Sequence, residues 1–188
     1  QDTINISLTG GIYNEQLLNE LLKGIKIWLE RLPQKERSKV CVTYAGNDTA
    51  LVNKATKKLS NLCRINLLGF ISIEELKKIH QISIANLYVK INRGFHHKTL
   101  EILSAGRPII CYPKESDEVI NIARATNIAL HSCSTPQEIS NALSESINTK
   151  SNEVGKNKAL EKLTWNYQAK KLEDLFEHIL KNWRTAKS

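Results

Sequence analysis

The sequence predicts an α/β fold: a doubly wound parallel sheet of about six strands, with helices on both faces and one further helix at the C-terminus. Short apolar runs alternate with longer amphipathic ones along nearly the whole chain, which is the pattern of strand–helix–strand units. Gly, Pro, Asn and Asp stand where those runs should end. The chain has 188 residues, 41% apolar and 24% charged, ordinary globular composition that excludes a disordered, collagen-like, coiled-coil or disulfide-stapled chain.

Ile4-Asn5-Ile6-Ser7-Leu8-Thr9 reads as the first strand and stops at Gly10-Gly11. From Asn14 a helix follows, because Leu17, Leu18, Leu21, Leu22, Ile25, Trp28, Leu29 and Leu32 recur three and four apart, and Pro33 closes it. Val40 to Ala45 is the second strand, stopped by Gly46-Asn47-Asp48, and Asp48 or Thr49 caps a helix through about Leu62. Ile65 to Leu68 is the third strand, ended at Gly69. Ser72 and Glu75 then have capping-box spacing for a helix to about Gln81. Ile84 to Ile91 is the fourth strand, His97 to Ser104 a short helix, and Pro108 to Tyr112 the fifth strand. A helix from Asp117, a short strand at Ile128-Ala129-Leu130 and a helix capped at Ser134 or Thr135, with Pro136 in its first turn, complete the alternation. Lys150 to Lys158 is polar and aperiodic and reads as a loop; the last helix carries Leu172, Leu175, Phe176, Ile179 and Leu180 on one face.

Such an alternation is expected to wind as a Rossmann-like sheet in the order 3-2-1-4-5-6. Ligands then bind beyond the carboxyl ends of the strands where the order reverses, between the loops after strands one and four. After strand one, Gly10-Gly11 is either a plain tight turn or a place where backbone N–H groups approach a ligand; it is neither a phosphate loop nor a three-glycine dinucleotide fingerprint. After strand four, Arg93, His96, His97 and Lys98 concentrate basic groups where a helix begins, and that arrangement suits a bound anion. Lys98 and Glu101 share a helix face, as a surface ion pair or as ligand contacts. Metal binding is not expected: adjacent histidines point about 100° apart on a helix, and no third ligand is near in sequence.

Other classes are excluded by composition and layout. The net charge of +8 comes from 27 basic and 19 acidic side chains. Lys35 and Arg37 are read in a loop; Lys54, Lys57, Lys58, Lys77 and Lys78 lie on the next two helices; Lys170, Lys171, Lys181, Arg184 and Lys187 are on the last helix and tail. No stacking array of aromatics accompanies them, so nucleic acid is not an expected partner, whereas peripheral attraction to anionic lipids is. No apolar run reaches the roughly 20 residues of a membrane span, and the N-terminus lacks the layout of a signal peptide. Cys41, Cys63, Cys111 and Cys133 form no Cys-x-x-Cys motif, and Cys41 and Cys111 sit inside strand-like runs, which suits reduced thiols in a cytoplasmic setting. The chain contains no Met and begins Gln1-Asp2-Thr3, so an excised domain is expected.

The segment Arg93-Gly94-Phe95, with Glu101 eight positions after Arg93 and Ser104-Ala105-Gly106-Arg107-Pro108-Ile109-Ile110 behind it, resembles the donor-binding C-terminal domain of GT-B glycosyltransferases, close to glycosyltransferase family 4. That family shows Glu-Gly-Phe, a second Glu eight positions on, and an Ala-x-Gly-x-Pro run; Lys98-x-x-Glu101 is similar to a variant in many bacterial members. Thr9-Gly10-Gly11, Leu67-Leu68-Gly69-Phe70 with Glu74-Glu75-Leu76, and Leu163-Thr164-Trp165 extend the resemblance over nearly the whole chain. In this sequence Arg93 replaces the first Glu, and Gly11 stands where an Arg is common, leaving Arg93 or Lys98 to supply that charge. Lys23-Gly24 is similar to the family's Lys-Gly, though it is read inside the first helix.

The resemblance implies a nucleotide-sugar-binding half of a glycosyltransferase, with no cofactor and no metal. Glu101 would take the ribose hydroxyls, Lys98 and the Gly10-Gly11 backbone the diphosphate, and the turn at Gly69-Phe70 would lie near the base. Arg93, His97 and Thr99 complete the expected substrate-binding set. The acceptor would be a glycan or a lipid-linked molecule, and the acceptor site and the catalytic base or positioning groups would come with an N-terminal domain of the same protein; the resemblance leans towards a retained linkage and leaves an inverted one open. The alternative keeps the fold as a non-catalytic docking module marked by Arg93.

Overall fold

The computed structural model describes residues 3–91, 97–149 and 161–185. Strands β1 (Ile4–Thr9), β2 (Val40–Ala45), β3 (Arg64–Gly69), β4 (Ala85–Val89), β5 (Ile109–Tyr112) and β6 (Leu130–Ser132) pair in parallel in the order β3-β2-β1-β4-β5-β6. The predicted sheet order is therefore the observed one. The helices are α1 (Glu15–Arg31), α2 (Gln34–Arg37), α3 (Thr49–Thr56), α4 (Ile73–Ile82), α5 (His97–Leu103), α6 (Asp117–Ala125), α7 (Pro136–Ile147) and α8 (Trp165–Thr185). The chain divides into two units, Gln1–Asn152 with the sheet and Glu153–Ser188 with α8.

β2, β4 and β5 are buried along their whole length, as strands covered on both faces must be, whereas the edge strand β3 alternates. α1 starts where Asn14 accepts a hydrogen bond from Leu17 N at 3.0 Å, and it buries Leu18, Leu21, Leu22, Ile25, Trp28 and Leu29. Each such side chain contributes about 1.5–3 kcal/mol of hydrophobic stabilisation. Gly24 lies mid-helix because α7 packs there: a Cβ on it would stand 2.6 Å from Ile139 Cβ and 2.8 Å from the Pro136 carbonyl. α4 opens with the predicted capping box, Ser72 Oγ accepting from Glu75 N and Ser72 N donating to Glu75 Oε2. Thr135 caps α7, with Pro136 at its first position.

Several boundaries differ from the sequence reading. α3 ends at Thr56 rather than near Leu62, and the chain continues in short turns that still bury Leu59. β4 spans Ala85–Val89, shorter than predicted at both ends. β6 begins at Leu130: Ile128 N is bonded to Ala123 O instead of the sheet, after Asn127 turns with φ of 53°. Lys35 and Arg37 lie in the short helix α2, not in a loop. The loop expected at Lys150 to Lys158 lies outside the described residues.

All four cysteines are buried free thiols. Burial pushes Cys63 up to about 12 and Cys133 up to about 11, so both stay protonated and unreactive at neutral pH. Among the described residues, no helix is long and apolar enough to cross a membrane.

Candidate functional site

The sheet order reverses between β1 and β4, which pair through Ile6–Ala85, Ser7–Asn86 and Leu8–Leu87. Ser7 Oγ donates to Asn86 Oδ1 at 2.6 Å inside the sheet, so a satisfied buried polar pair fixes the junction. Beyond the carboxyl ends of these strands lies a crevice of about 160 Å3 lined by the turns after β1, β2 and β3 and by α4 and α5. It is the place the topology assigns to a ligand.

Gly10, Gly11, Phe70, Lys98 and Glu101 meet in this crevice from three separate segments: the turn after β1, the turn after β3, and α5. Gly10 has φ of 89°, and a Cβ on it would fall 1.2 Å from Lys98 Nζ, so only glycine lets the lysine reach across. Lys98 Nζ donates to the Thr9 carbonyl at 2.7 Å. Burial holds the Lys98 amine down at about 8, partly offset by the carboxylates of Glu101 and Asp48, and it remains mostly charged at neutral pH. Phe70, 84% exposed, projects at the far end after β3. Thr99 does not join the crevice: it is buried on the inner side of α5, turned toward Tyr88. His97 opens α5. Arg93 and His96 lie outside the described residues.

Three side chains that the sequence reading did not single out as ligand-site groups shape this crevice. Asp48, expected to cap α3, makes no side-chain cap; its Oδ2 instead accepts from Ile12 N at 2.7 Å, tying the turn after β1 to the turn after β2. Tyr44, at the end of β2, donates its hydroxyl to Gly10 O at 2.9 Å and accepts from Asp48 N at 3.0 Å. His80 of α4 is 2% exposed and lies 3.3 Å from Thr9 Oγ1; burial and the Lys98 charge push it down to about 4, so it is neutral at physiological pH. Its only sequence signal is a polar residue in the last turn of an amphipathic helix. Among the described residues, no three His, Cys, Asp or Glu side chains converge as a metal site.

Among the described residues, this geometry presents one cation, a carboxylate, glycine backbone and an exposed aromatic ring along the strand ends. That set can bind an anion with a hydroxylated and an aromatic part attached.

Solved structures share the fold. Sucrose-phosphate synthase from Thermosynechococcus elongatus superimposes with a TM-score of 0.65 at 14% identity, over 97% of this chain and 47% of that one. HepE of Anabaena, in complex with UDP and glucose, gives 0.64 at 13% identity, over 96% of this chain and 49% of that one. The C-terminal domain of the group 1 glycosyl transferase LpcC from Francisella tularensis gives 0.58 at 16% identity, over 84% of this chain and 83% of that one. The chain thus spans less than half the length of the first two, and about four fifths of an isolated C-terminal domain. No curated protein matches the sequence. The sequence profile of the glycosyl transferases group 1 family matches residues 9–149, three quarters of the chain and every residue lining the crevice from Thr9 to Glu101, and the protein belongs to that family.

Proposed function

We propose that this chain is the donor-binding half of a glycosyltransferase and takes a nucleotide-diphosphate sugar in the crevice at the β1–β4 reversal. The observation that carries the reading is the meeting of Gly10, Gly11, Lys98, Glu101 and Phe70 in one crevice from distant parts of the chain. Glu101 accepts hydrogen bonds from the ribose hydroxyls, Lys98 and the glycine backbone hold the diphosphate, and Phe70 lies beside the base. Arg93, in the segment before α5, adds a positive charge and His97, at the start of α5, a further basic group, while Thr99 packs on the inner side of α5. The UDP of the HepE structure supports a nucleotide as the ligand.

Transfer to an acceptor leaves negative charge on the departing diphosphate. Lys98, mostly charged at neutral pH and partly withdrawn from water, stabilises that charge electrostatically, a route that requires no metal. The site for the acceptor, a glycan or a lipid-linked molecule, and the remaining catalytic groups belong to an N-terminal domain of the same protein, in the cytoplasm or at its membrane face. The isolated chain therefore binds donor nucleotide without transferring sugar.

Calorimetric titration with UDP, GDP and ADP, beside Glu101→Ala, tests this. One nucleotide should bind, and the variant should weaken it by roughly tenfold or more, the worth of hydrogen bonds to a charged group. A folded chain that takes none of the three would refute donor binding by this chain and favour the docking-module reading of Arg93.

A further inference from the structure

Resting on the diphosphate reading above, we propose that Tyr44 is a positioning residue of the anion site: its hydroxyl locks the Gly10–Gly11 peptide so that the Gly11 N–H is turned out to receive phosphate oxygen. A trans peptide carries its C=O and N–H on opposite edges of one plane. Tyr44 holds the carbonyl edge, at 2.9 Å from Gly10 O, from a position only 1% exposed. The other edge is the N–H of Gly11, a residue that lines the crevice and whose N–H meets no acceptor among the described residues.

The hydroxyl has one proton to give, and its direction is set. Asp48 N donates to the same oxygen at 3.0 Å, which leaves the Tyr44 proton for Gly10 O. Burial raises the phenol further above its ordinary range, so the proton stays in place at any physiological pH. Gly46 completes the device, since a Cβ there would stand 2.5 Å from the Tyr44 hydroxyl and 2.6 Å from Gly10 O. Asp48 fixes the next residue by accepting from Ile12 N at 2.7 Å. Glycines on both sides of a peptide bond leave it free to rotate about its flanking torsions. Without the tyrosine the carbonyl can turn into the crevice, where it repels an anion.

The test is a titration of the chain with inorganic pyrophosphate, followed by calorimetry and by the amide resonance of Gly11. In the wild type, binding should shift the Gly11 amide proton. In Tyr44→Phe, which keeps the ring and removes only the hydroxyl, the dissociation constant should rise roughly three- to tenfold and the Gly11 shift should shrink. A merely structural tyrosine would alter stability and leave the Gly11 shift at saturation unchanged. Gly46→Ala, which wedges the same contact apart, should give the same two changes and serves if Tyr44→Phe does not fold. Pyrophosphate binding that leaves the Gly11 amide of the wild type unmoved, or that is equal in the folded variant, overturns the inference while the donor reading stands. A wild type that binds neither pyrophosphate nor any of UDP, GDP and ADP removes the donor reading, and this inference with it.

Discussion

Replacing Gly10 by alanine should dislodge Lys98, and its cost can be worked from two contacts. At φ of 89° an L-residue loses about 1–2 kcal/mol relative to glycine. The added Cβ falls 1.2 Å from Lys98 Nζ, so the amine must leave the Thr9 carbonyl it now meets at 2.7 Å. A hydrogen bond from a charged donor contributes about 1.5–3 kcal/mol, and the freed amine regains some of that from water. Gly10→Ala should therefore destabilise the chain by at most about 5 kcal/mol, in two separable parts. In a Lys98→Ala background only the backbone part, about 1–2 kcal/mol, should remain. Urea unfolding of the wild type, the two single variants and the double variant measures the coupling directly, expected at about 1.5–3 kcal/mol. A coupling energy below about 0.5 kcal/mol, the ordinary scatter of independent sites, would refute the claim that glycine at this position exists to admit the lysine.

If Lys98 meets the diphosphate as proposed, its amine, held down at about 8, should make UDP affinity fall as pH rises through that value, because bound diphosphate would raise its pKa and the complex would take up a proton. The terminal phosphate of UDP, ionising near about 6, is constant over this range, and affinity should drop by up to about tenfold per pH unit above about 8; a flat calorimetric profile from pH 7 to 9.5 would sink this role for Lys98. For the free chain the sign is opposite, since the unfolded lysine keeps its proton to its ordinary value of 10.5: between about 8 and 10.5 this group adds stability as pH rises. Gly24→Ala should lower the melting temperature although alanine is the better helix former by about 1 kcal/mol, because the Cβ meets Ile139 and the Pro136 carbonyl and overpacking costs about 1–3 kcal/mol. A higher melting temperature would mean that α1 and α7 can move apart at no cost.

The sheet order was legible because few topologies satisfy an alternating chain with right-handed crossovers, and the strands between helices are short and apolar. Boundaries failed where burial and periodicity part company. Leu59 and Leu62 continue the apolar spacing of α3, yet they belong to turns: Leu59 N bonds Thr56 O, and Leu62 N bonds Leu59 O. Ile128 is as buried as a strand residue while its N–H serves the end of α6, so its apolar side chain marked the core while the triplet Ile128-Ala129-Leu130 misplaced the pairing. Hydrophobic pattern reports where a side chain goes, and says less about which backbone its N–H meets.

The same division runs through the site. Gly10, Gly11, Lys98 and Glu101 could be placed at the crevice from sequence because each is marked by a local property, a bare backbone or a charge beside a predicted turn. Asp48 was legible only as a helix cap, the local role for its position; its actual partner, Ile12 N, is 36 residues away. Tyr44 was just the last aromatic of a buried strand, and nothing nearby shows that its hydroxyl reaches Gly10, 34 residues earlier. His80 likewise meets Thr9 across 71 residues. These three do not depend on the chemistry of their neighbours in sequence, only on β1, β2 and α4 converging. A preorganised anion site needs both kinds of residue, because donors that are free to turn away lose affinity to the cost of fixing them. Substitutions that keep Gly10, Gly11, Lys98 and Glu101 but break the Tyr44–Asp48 support should therefore leave a sequence that still reads as a donor site and a crevice that no longer holds one pose.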